Sequence, residues 1–158
     1  MKKIFVLFFV AFMVIVITFL SVNPVNGKSP EKVVPIYVNN FEIADSLESE
    51  TNLFPVYRKV EANNRIKRTV EKLINIELTA EEKDIGFSTE WNENHSVFVK
   101  DVFENNGKVT IKLQDDNFFT SGGSSRIENL KKQIKKTVLQ FGNVCQIEFI
   151  GQEHIFQP

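Results

Sequence analysis

Two segments repeat apolar residues at helical spacing and predict amphipathic helices. In residues 62–78, apolar side chains recur at i, i+4, i+7 and i+8, with charged residues on the other side. These apolar positions are Ile66, Val70, Leu73 and Ile74. In the second segment, the spacing of Ser125 and Glu128 matches a capping box, and Gly142 fits a C-cap. The apolar positions of this second helix are Ile127, Leu130, Ile134, Val138 and Phe141.

Alternation of apolar and polar residues predicts the strands. A strand from Val97 to about Phe103, a turn at Asn105-Asn106-Gly107 and a return strand with Val109, Ile111 and Leu113 on one face predict a β-hairpin. Residues 33–38 and 53–60 are apolar runs that each contain a proline. For the first run, the proline indicates an edge strand or a later start at Ile36. Cys145, Ile147 and Phe149 alternate with polar residues in a final strand.

The order of these elements, β-β-α-β-β-α-β, predicts an α+β domain over residues 33–158. We expect a mainly antiparallel sheet with two helices packed on one face. Residues 28–32 form a linker, and residues 41–52 and 86–94 are predicted to be irregular. Thr79 and Glu82 have capping-box spacing and predict one further short helical turn.

The residue pattern at the N-terminus predicts that the protein is exported from the cytoplasm. Lys2 and Lys3 precede an apolar run over residues 4–19 that only Thr18 interrupts, the pattern of a signal peptide or signal anchor within residues 1–27. The lysines favour the cytoplasmic side, so the domain is expected outside the cytoplasm. Cleavage after Gly27 would release it, and an uncleaved hydrophobic helix over residues 4–20 would anchor it in the membrane. Both outcomes remain open.

Cysteine and charge exclude several classes of protein. Cys145 is the only cysteine, which excludes an intramolecular disulfide and a lipoprotein cysteine after the apolar run. Without Lys2 and Lys3, the 19 basic residues fall to 17 against 20 acidic ones, a net charge of −3. A nucleic-acid-binding domain would be strongly basic, so no nucleic-acid partner is expected.

No residue pattern predicts catalytic, metal-binding or cofactor-binding chemistry. His95 and His154 lack partners at ligand spacing and are interpreted as surface histidines beside strand ends. Cys145 is expected to be buried and inert. Asp115 and Asp116 lack the spacing of a calcium loop and are interpreted as solvated carboxylates. The Gly122-Gly123 pair is interpreted as a flexible lead into the second helix rather than a phosphate-binding loop.

Two groups of residues are candidates for an interaction surface. The first is a basic face of the second helix, and its members are Lys131, Lys132, Lys135 and Lys136, with Arg126 nearby. This face could bind anionic wall polymer or lipid head groups, or it could be an ordinary solvated helix surface. The second is the pair Phe118 and Phe119, of which one is expected to close the core beneath the helix and the other to be exposed.

The motifs together resemble the GerMN domain of sporulation and spore germination proteins. Residues 53–60, LFPVYRKV, are similar to the family segment L-x-P-V-x-R-x-V, and residues 106–113 are similar to its hairpin strand. Residues 130–141, LKKQIKKTVLQF, are similar to its last helix, L-x-x-Q-I-x-x-T-L-x-x-F. Residues 77–90 depart from the family, since they are acidic where its loop is usually rich in proline and glycine.

The resemblance implies a non-enzymatic module of the bacterial envelope, similar to the ring-building domains of secretion and sporulation assemblies. It implies protein partners in the envelope and no catalytic residues. The alternatives are a secreted module that binds wall polymer through the basic helix face, and an enzyme whose site has no recognisable motif.

Overall fold

The computed structural model describes residues 29–91 and 94–158, so the predicted export segment lies outside the described residues. The elements follow in the order β1 (Glu31–Asn40), α1 (Phe41–Ser46), β2 (Leu53–Glu61), α2 (Arg65–Ile74), α3 (Ala80–Asp84), β3 (Phe87–Ser88), β4 (Val97–Asn105), β5 (Lys108–Asp115), α4 (Ser124–Leu139) and β6 (Gln146–Ile150). In this part of the chain, no helix has the length and apolar character needed to cross a membrane.

The predicted α+β class is confirmed, but the strands form two sheets rather than one. The first sheet has the order β2-β1-β3 and is antiparallel throughout. The second has the order β4-β5-β6, with an antiparallel pair β4-β5 and a parallel pair β5-β6. The last pair is parallel because α4 connects β5 to β6 as a crossover, which returns the chain in the same direction.

One hydrophobic core joins the two sheets through the helices. The predicted apolar faces of α2 and α4 are confirmed, since every apolar position named for them is buried. Helix α2 contacts β1 and β2 of the first sheet and β4 of the second, and it also packs on α4. The two sheets are therefore parts of a single folded unit.

Strand β1 lies in the middle of its sheet, so both expectations for it, an edge position and a late start, were wrong. It begins at Glu31 and pairs with β2 along almost its whole length. Pro35 has no backbone N–H to donate to a neighbouring strand. It is tolerated because β3, on the side of β1 away from β2, pairs only with Asn39 and Asn40 at the end of the strand. Helix α4 covers that edge beside Pro35 and Tyr37, since the Tyr37 backbone N–H donates to Thr137 Oγ1 at 3.0 Å. Gln140 Nε2 likewise donates to the Pro35 carbonyl at 2.7 Å.

The predicted hairpin is confirmed. Asn106 and Gly107 have φ angles of 47° and 80°, which suit the tight turn between β4 and β5. Val109, Ile111 and Leu113 are buried on one face of β5, as their alternation predicts.

Of the three predictions of helix caps, one is confirmed and two are wrong. The Thr79–Glu82 capping box is present at the start of α3. The Ser125–Glu128 box is absent, because α4 begins at Ser124 after Gly123 and the Glu128 side chain pairs with Lys131. Gln140, and not Gly142, occupies the C-cap of this helix.

Two segments expected to be irregular contain short elements. In residues 41–52 the Asn40 side chain accepts the Ile43 N–H at 2.9 Å and so caps α1. In residues 86–94, Phe87 and Ser88 form β3 by pairing with the end of β1. Both elements depend on Asn40, whose side chain also donates to the Ile85 carbonyl at 2.8 Å.

Cys145 is exposed, so the prediction of a buried thiol was wrong. The alternation with Ile147 and Phe149 holds only inside β6, and Cys145 lies one residue before that strand begins. Its backbone N–H donates to the Gly107 carbonyl at 2.8 Å, which places it beside the hairpin turn at the end of the sheet.

Candidate interaction surface

The four lysines of α4 differ in exposure and in partners. Lys132 and Lys136 are exposed, whereas Lys131 and Lys135 are half-buried. Lys131 Nζ lies 2.7 Å from Glu128 Oε1 and forms an ion pair within the helix. The predicted basic face is therefore present on α4, with Lys132 and Lys136 as its most accessible charges.

The lysines of this face lower the pKa of the neighbouring Glu128 carboxyl. The hydrogen bond and the charge of Lys131 hold the pKa of the Glu128 carboxyl below its ordinary value. The charges of Lys135 and Lys132 act in the same direction. An anionic group that approaches this side of α4 would experience the same favourable field.

The basic face meets the outer face of the first sheet at Tyr37. Lys136 Nζ lies 5.4 Å from the centre of the Tyr37 ring, within the range of a cation–π contact. The Thr137 and Gln140 contacts with β1 fix the position of the helix beside that strand. Residues from α4 and from β1 therefore form one continuous surface.

The outer face of β1 and β2 carries two proline–tyrosine pairs. The same three-residue pattern, Pro-x-Tyr, occurs at residues 35–37 and 55–57, and the strands pair antiparallel about Ile36 and Val56. Pro35 therefore lies opposite Tyr57, and Tyr37 lies opposite Pro55. These residues point away from the core, because alternate side chains of a strand face opposite sides and Ile36 and Val56 are buried.

Much of this face is accessible to a partner. Tyr57 and Val33 are each 63% exposed, and Tyr37 and the two prolines are half-buried. Tyrosines on an accessible apolar face are typical of protein interfaces. We call this region the basic–aromatic surface, and we define it by Lys132, Lys135, Lys136, Val33, Tyr37 and Tyr57. The repeated Pro-x-Tyr pattern is the sequence signal that could have identified the tyrosines.

Phe118 and Phe119 have different environments, as expected for one core and one exposed residue. Phe119 packs against the core, with its ring centre 5.6 Å from that of Trp91. Arg126 of α4 lies 4.3 Å above the Phe119 ring and donates to the Phe119 carbonyl. Phe118 is 62% exposed, and its ring lies 4.1 Å from that of His154. The structure does not place either phenylalanine in the basic–aromatic surface as defined above.

Asp115 is buried, so its interpretation as a solvated carboxylate was wrong, whereas Asp116 is exposed as expected. The Asp115 carboxylate accepts hydrogen bonds from Thr120 N at 2.6 Å, Thr120 Oγ1 at 2.8 Å and Phe119 N at 3.0 Å. Burial raises the pKa of Asp115, but these bonds outweigh it and leave the pKa below its ordinary value. Asp115 therefore organises the loop that presents Phe118, which has a positive φ of 59°.

Both histidines lie beside strand ends but are half-buried rather than on the surface. His95 Nε2 lies 2.6 Å from the Ile74 carbonyl, and its Nδ1 accepts the Val97 N–H. This pairing assigns the proton of the neutral ring to Nε2. His154 Nε2 lies 2.9 Å from the Asp115 carbonyl. Within residues 29–91 and 94–158, no three His, Cys, Asp or Glu side chains group closely enough to hold a metal ion.

Comparison with known proteins identifies a family and a fold. The family model Germane, described as sporulation and spore germination, matches residues 35–151. No curated protein matches the sequence. A solved structure of the tandem GerMN domains of the sporulation protein GerM from Bacillus subtilis is similar, with a TM-score of 0.57 and 15% sequence identity. The match covers 86% of this chain and 44% of that chain, and at this identity the likeness is one of fold alone.

Proposed function

Because the chain belongs to the Germane family of sporulation and spore germination domains, we propose that it is a non-catalytic module that binds envelope proteins outside the cytoplasm. The basic–aromatic surface is the observation that carries the proposal. It combines accessible tyrosines with exposed lysines on elements that hydrogen bonds hold together. A rigid surface of this composition favours protein contact, since little conformational entropy is lost when it binds.

The location outside the cytoplasm is supported by the basic and apolar pattern of residues 1–27. Fractionation of cells followed by N-terminal sequencing distinguishes a cleaved, released protein from an uncleaved protein that is anchored in the membrane. A soluble product that begins at Lys28 would indicate cleavage, and a full-length product in the membrane fraction would indicate an anchor. A product found in the cytoplasm would contradict the proposed location.

The contacts of the histidines and of Asp115 support the proposal that the module is non-catalytic. Each histidine uses a ring nitrogen to contact a backbone carbonyl. Asp115 accepts several hydrogen bonds of its own loop and lies wholly inside the protein. These contacts give the residues structural roles, because a general base needs access to the proton that it removes.

Complementation of a deletion strain tests the proposed role in sporulation or germination. The variants Tyr57→Ser and Lys136→Glu alter the basic–aromatic surface without touching the core. We expect each to reduce the yield of heat-resistant spores or the rate of germination, with unchanged protein level. The matched controls are Phe103→Ser and Lys112→Glu, which change exposed residues of the second sheet. Wild-type values for the surface variants would contradict the proposal.

A second candidate function is binding of anionic wall polymer through the basic face of α4. The exposure of Lys132 and Lys136 on α4 favours it, because accessible positive charges attract an anionic polymer. Co-sedimentation of the protein with purified wall material distinguishes the two functions. Salt-sensitive binding that Lys132→Glu and Lys136→Glu abolish, and that Tyr57→Ser leaves unchanged, would support the polymer. No binding to the wall material would reject it.

A further inference from the structure

A pocket of about 470 Å³ lies beside the N-terminal half of helix α4. Ser125, Asn129 and Lys132 line it from the helix, where their spacing of four and three residues places them on one face. Phe41 lines it from the start of α1, and Asn52 lines it from the segment before β2. The volume is within the range of pockets that bind small ligands in proteins.

Two charged side chains that line the pocket, Arg126 and Glu90, already have partners. Arg126 Nη1 donates to the Phe119 carbonyl at 2.6 Å, and the guanidinium group lies 4.3 Å from the centre of the Phe119 ring. Arg126 Nε also lies 3.7 Å from Glu90 Oε2, so the two opposite charges offset each other. Among the described lining residues, the exposed Lys132 is the one other charged group. This balance disfavours a ligand that carries several charges of one sign.

The neutral polar side chains of the pocket are available to a ligand. Within the described residues, the side chains of Ser125 and Asn129 make no hydrogen bond, although Asn129 is half-buried. Asn52 donates through Nδ2 to Asn39 Oδ1 at 2.9 Å, which leaves its own Oδ1 as an acceptor. A hydroxyl group both donates and accepts, and a carboxamide offers one group of each kind. These side chains therefore suit a ligand that carries several hydroxyl groups.

The Phe41 ring supplies an apolar surface beside these polar groups. Phe41 is 57% exposed, and it begins helix α1 directly after Asn40, whose side chain caps that helix. The Asn40 backbone N–H donates to the Asn52 carbonyl at 2.8 Å, which connects the two segments that carry Phe41 and Asn52. An exposed ring with hydrogen-bonding groups beside it matches a pyranose sugar, which has an apolar C–H face and a hydroxyl-bearing edge.

We propose that this pocket binds one sugar unit of a neutral saccharide. The Phe41 ring packs against the C–H face of the sugar, and Ser125, Asn129 and Asn52 form hydrogen bonds with its hydroxyl groups. This ligand differs from the anionic polymer considered above, because uncharged hydroxyl groups make the contacts. The pocket shares only Lys132 with the basic–aromatic surface, so saccharide binding and protein binding can fail independently.

Binding is measured by nitrogen–proton NMR on the full chain, kept in dodecylphosphocholine micelles because detergents with sugar head groups would compete. The probes are cellotetraose, maltotetraose and chitotetraose, which differ in their linkage or in their acetamido groups. We expect at least one of these probes to shift the side-chain NH₂ signals of Asn129 and Asn52 saturably. If none of them does, the proposal is overturned. Tetragalacturonate is the charged counterpart, and a shift caused by this probe alone would indicate an anion site and would likewise overturn the proposal.

Two variants test the contacts with the saccharide that binds. Phe41→Ala removes the ring and Asn129→Ala removes the amide, and we expect each to weaken binding about tenfold. The matched controls are Phe98→Ala, at a similarly exposed phenylalanine of β4, and Asn63→Ala, at an exposed asparagine of the turn before α2. Both controls should keep wild-type affinity. Unchanged affinity in either pocket variant, or an equal loss in the controls, would overturn the proposal.

The fold and the basic–aromatic surface are controlled in the same experiment. Thermal unfolding shows whether each variant remains folded, and neither Phe41 nor Asn129 belongs to the buried core. Lys136→Glu alters the basic–aromatic surface and should bind the saccharide with wild-type affinity. Loss of saccharide binding in Lys136→Glu would contradict the assignment of the ligand to this pocket.

Discussion

Lys136 Nζ lies 5.4 Å from the centre of the Tyr37 ring, where helix α4 meets the outer face of strand β1. A cation–π contact at such an accessible site contributes about 0.5–1 kcal/mol. The Tyr37 backbone and the neighbouring Thr137 add a hydrogen bond of 3.0 Å between the same two elements. These two contacts hold Lys136 beside Tyr37, and such preorganisation lowers the entropy lost when a partner binds.

The variant Thr137→Val tests how α4 closes the edge of β1. Valine has a similar shape but cannot accept the Tyr37 N–H, so a partly buried donor loses its partner. We expect the free energy of unfolding to fall by about 1–3 kcal/mol. Hydrogen exchange at the Tyr37 amide should become faster. Thr69→Val is the matched control, because Thr69 is equally buried but its hydroxyl only donates to a carbonyl of its own helix. An effect of the same size in both variants would contradict the edge-closing role.

Asp115→Asn tests the organisation of the loop before α4. The amide keeps one oxygen but presents an NH₂ group to N–H donors, so the hydrogen bonds from Thr120 and Phe119 cannot all form. Bonds to a charged group contribute more than neutral ones, and we expect a loss of about 2 kcal/mol in urea unfolding. A loss below about 0.5 kcal/mol, the range of ordinary surface changes, would show that the carboxylate does not organise the loop.

The same carboxylate predicts the direction of a pH effect. The pKa of Asp115 is lowered in the folded state, so its contribution to stability is fully present above its unfolded value, about 3.9. That contribution is lost as the pH falls through the lower folded value. The difference in unfolding free energy between wild type and Asp115→Asn should therefore shrink below about pH 4. A difference that grows on acidification would contradict this assignment.

The exposed thiol of Cys145 makes a simple chemical prediction. Because the side chain lies outside the core, a thiol reagent such as dithionitrobenzoate should react with it in the native chain. We expect a rate within about tenfold of that for the urea-unfolded chain, with one thiol per molecule. Cys145→Ser should change the free energy of unfolding by less than about 0.5 kcal/mol. Reaction that requires unfolding would contradict the exposed position.

The elements that could be predicted from the sequence depend on local patterns. The hairpin needed only alternation and a turn that tolerates positive φ at Asn106 and Gly107. The faces of α2 and α4 followed from apolar residues at helical spacing. Helix α1 was missed because it is six residues long, shows no apolar period and is capped by Asn40 at the end of a strand.

The features that could not be predicted depend on contacts between distant residues. The central position of β1 and its closure by α4 join residues about one hundred positions apart. The burial of Asp115 depends on a loop that folds back over its carboxylate. The basic face of α4 was identified from the sequence, but its continuity with Tyr37 and Tyr57 required the strand register. The Pro-x-Tyr pattern occurs twice in the sequence, but only the antiparallel pairing of β1 and β2 shows that each proline lies opposite a tyrosine.

Site-specific photo-crosslinking most directly tests the claim that the basic–aromatic surface binds an envelope protein. A benzophenone side chain would replace Tyr57 in the full chain in cells induced to sporulate, with the same group at the exposed Phe103 as a control. We predict a discrete crosslinked envelope protein from position 57 only, and a severalfold lower yield when Lys132→Glu and Lys136→Glu are added. Equal yields from positions 57 and 103, or a yield that the lysine variants leave unchanged, would contradict the claim.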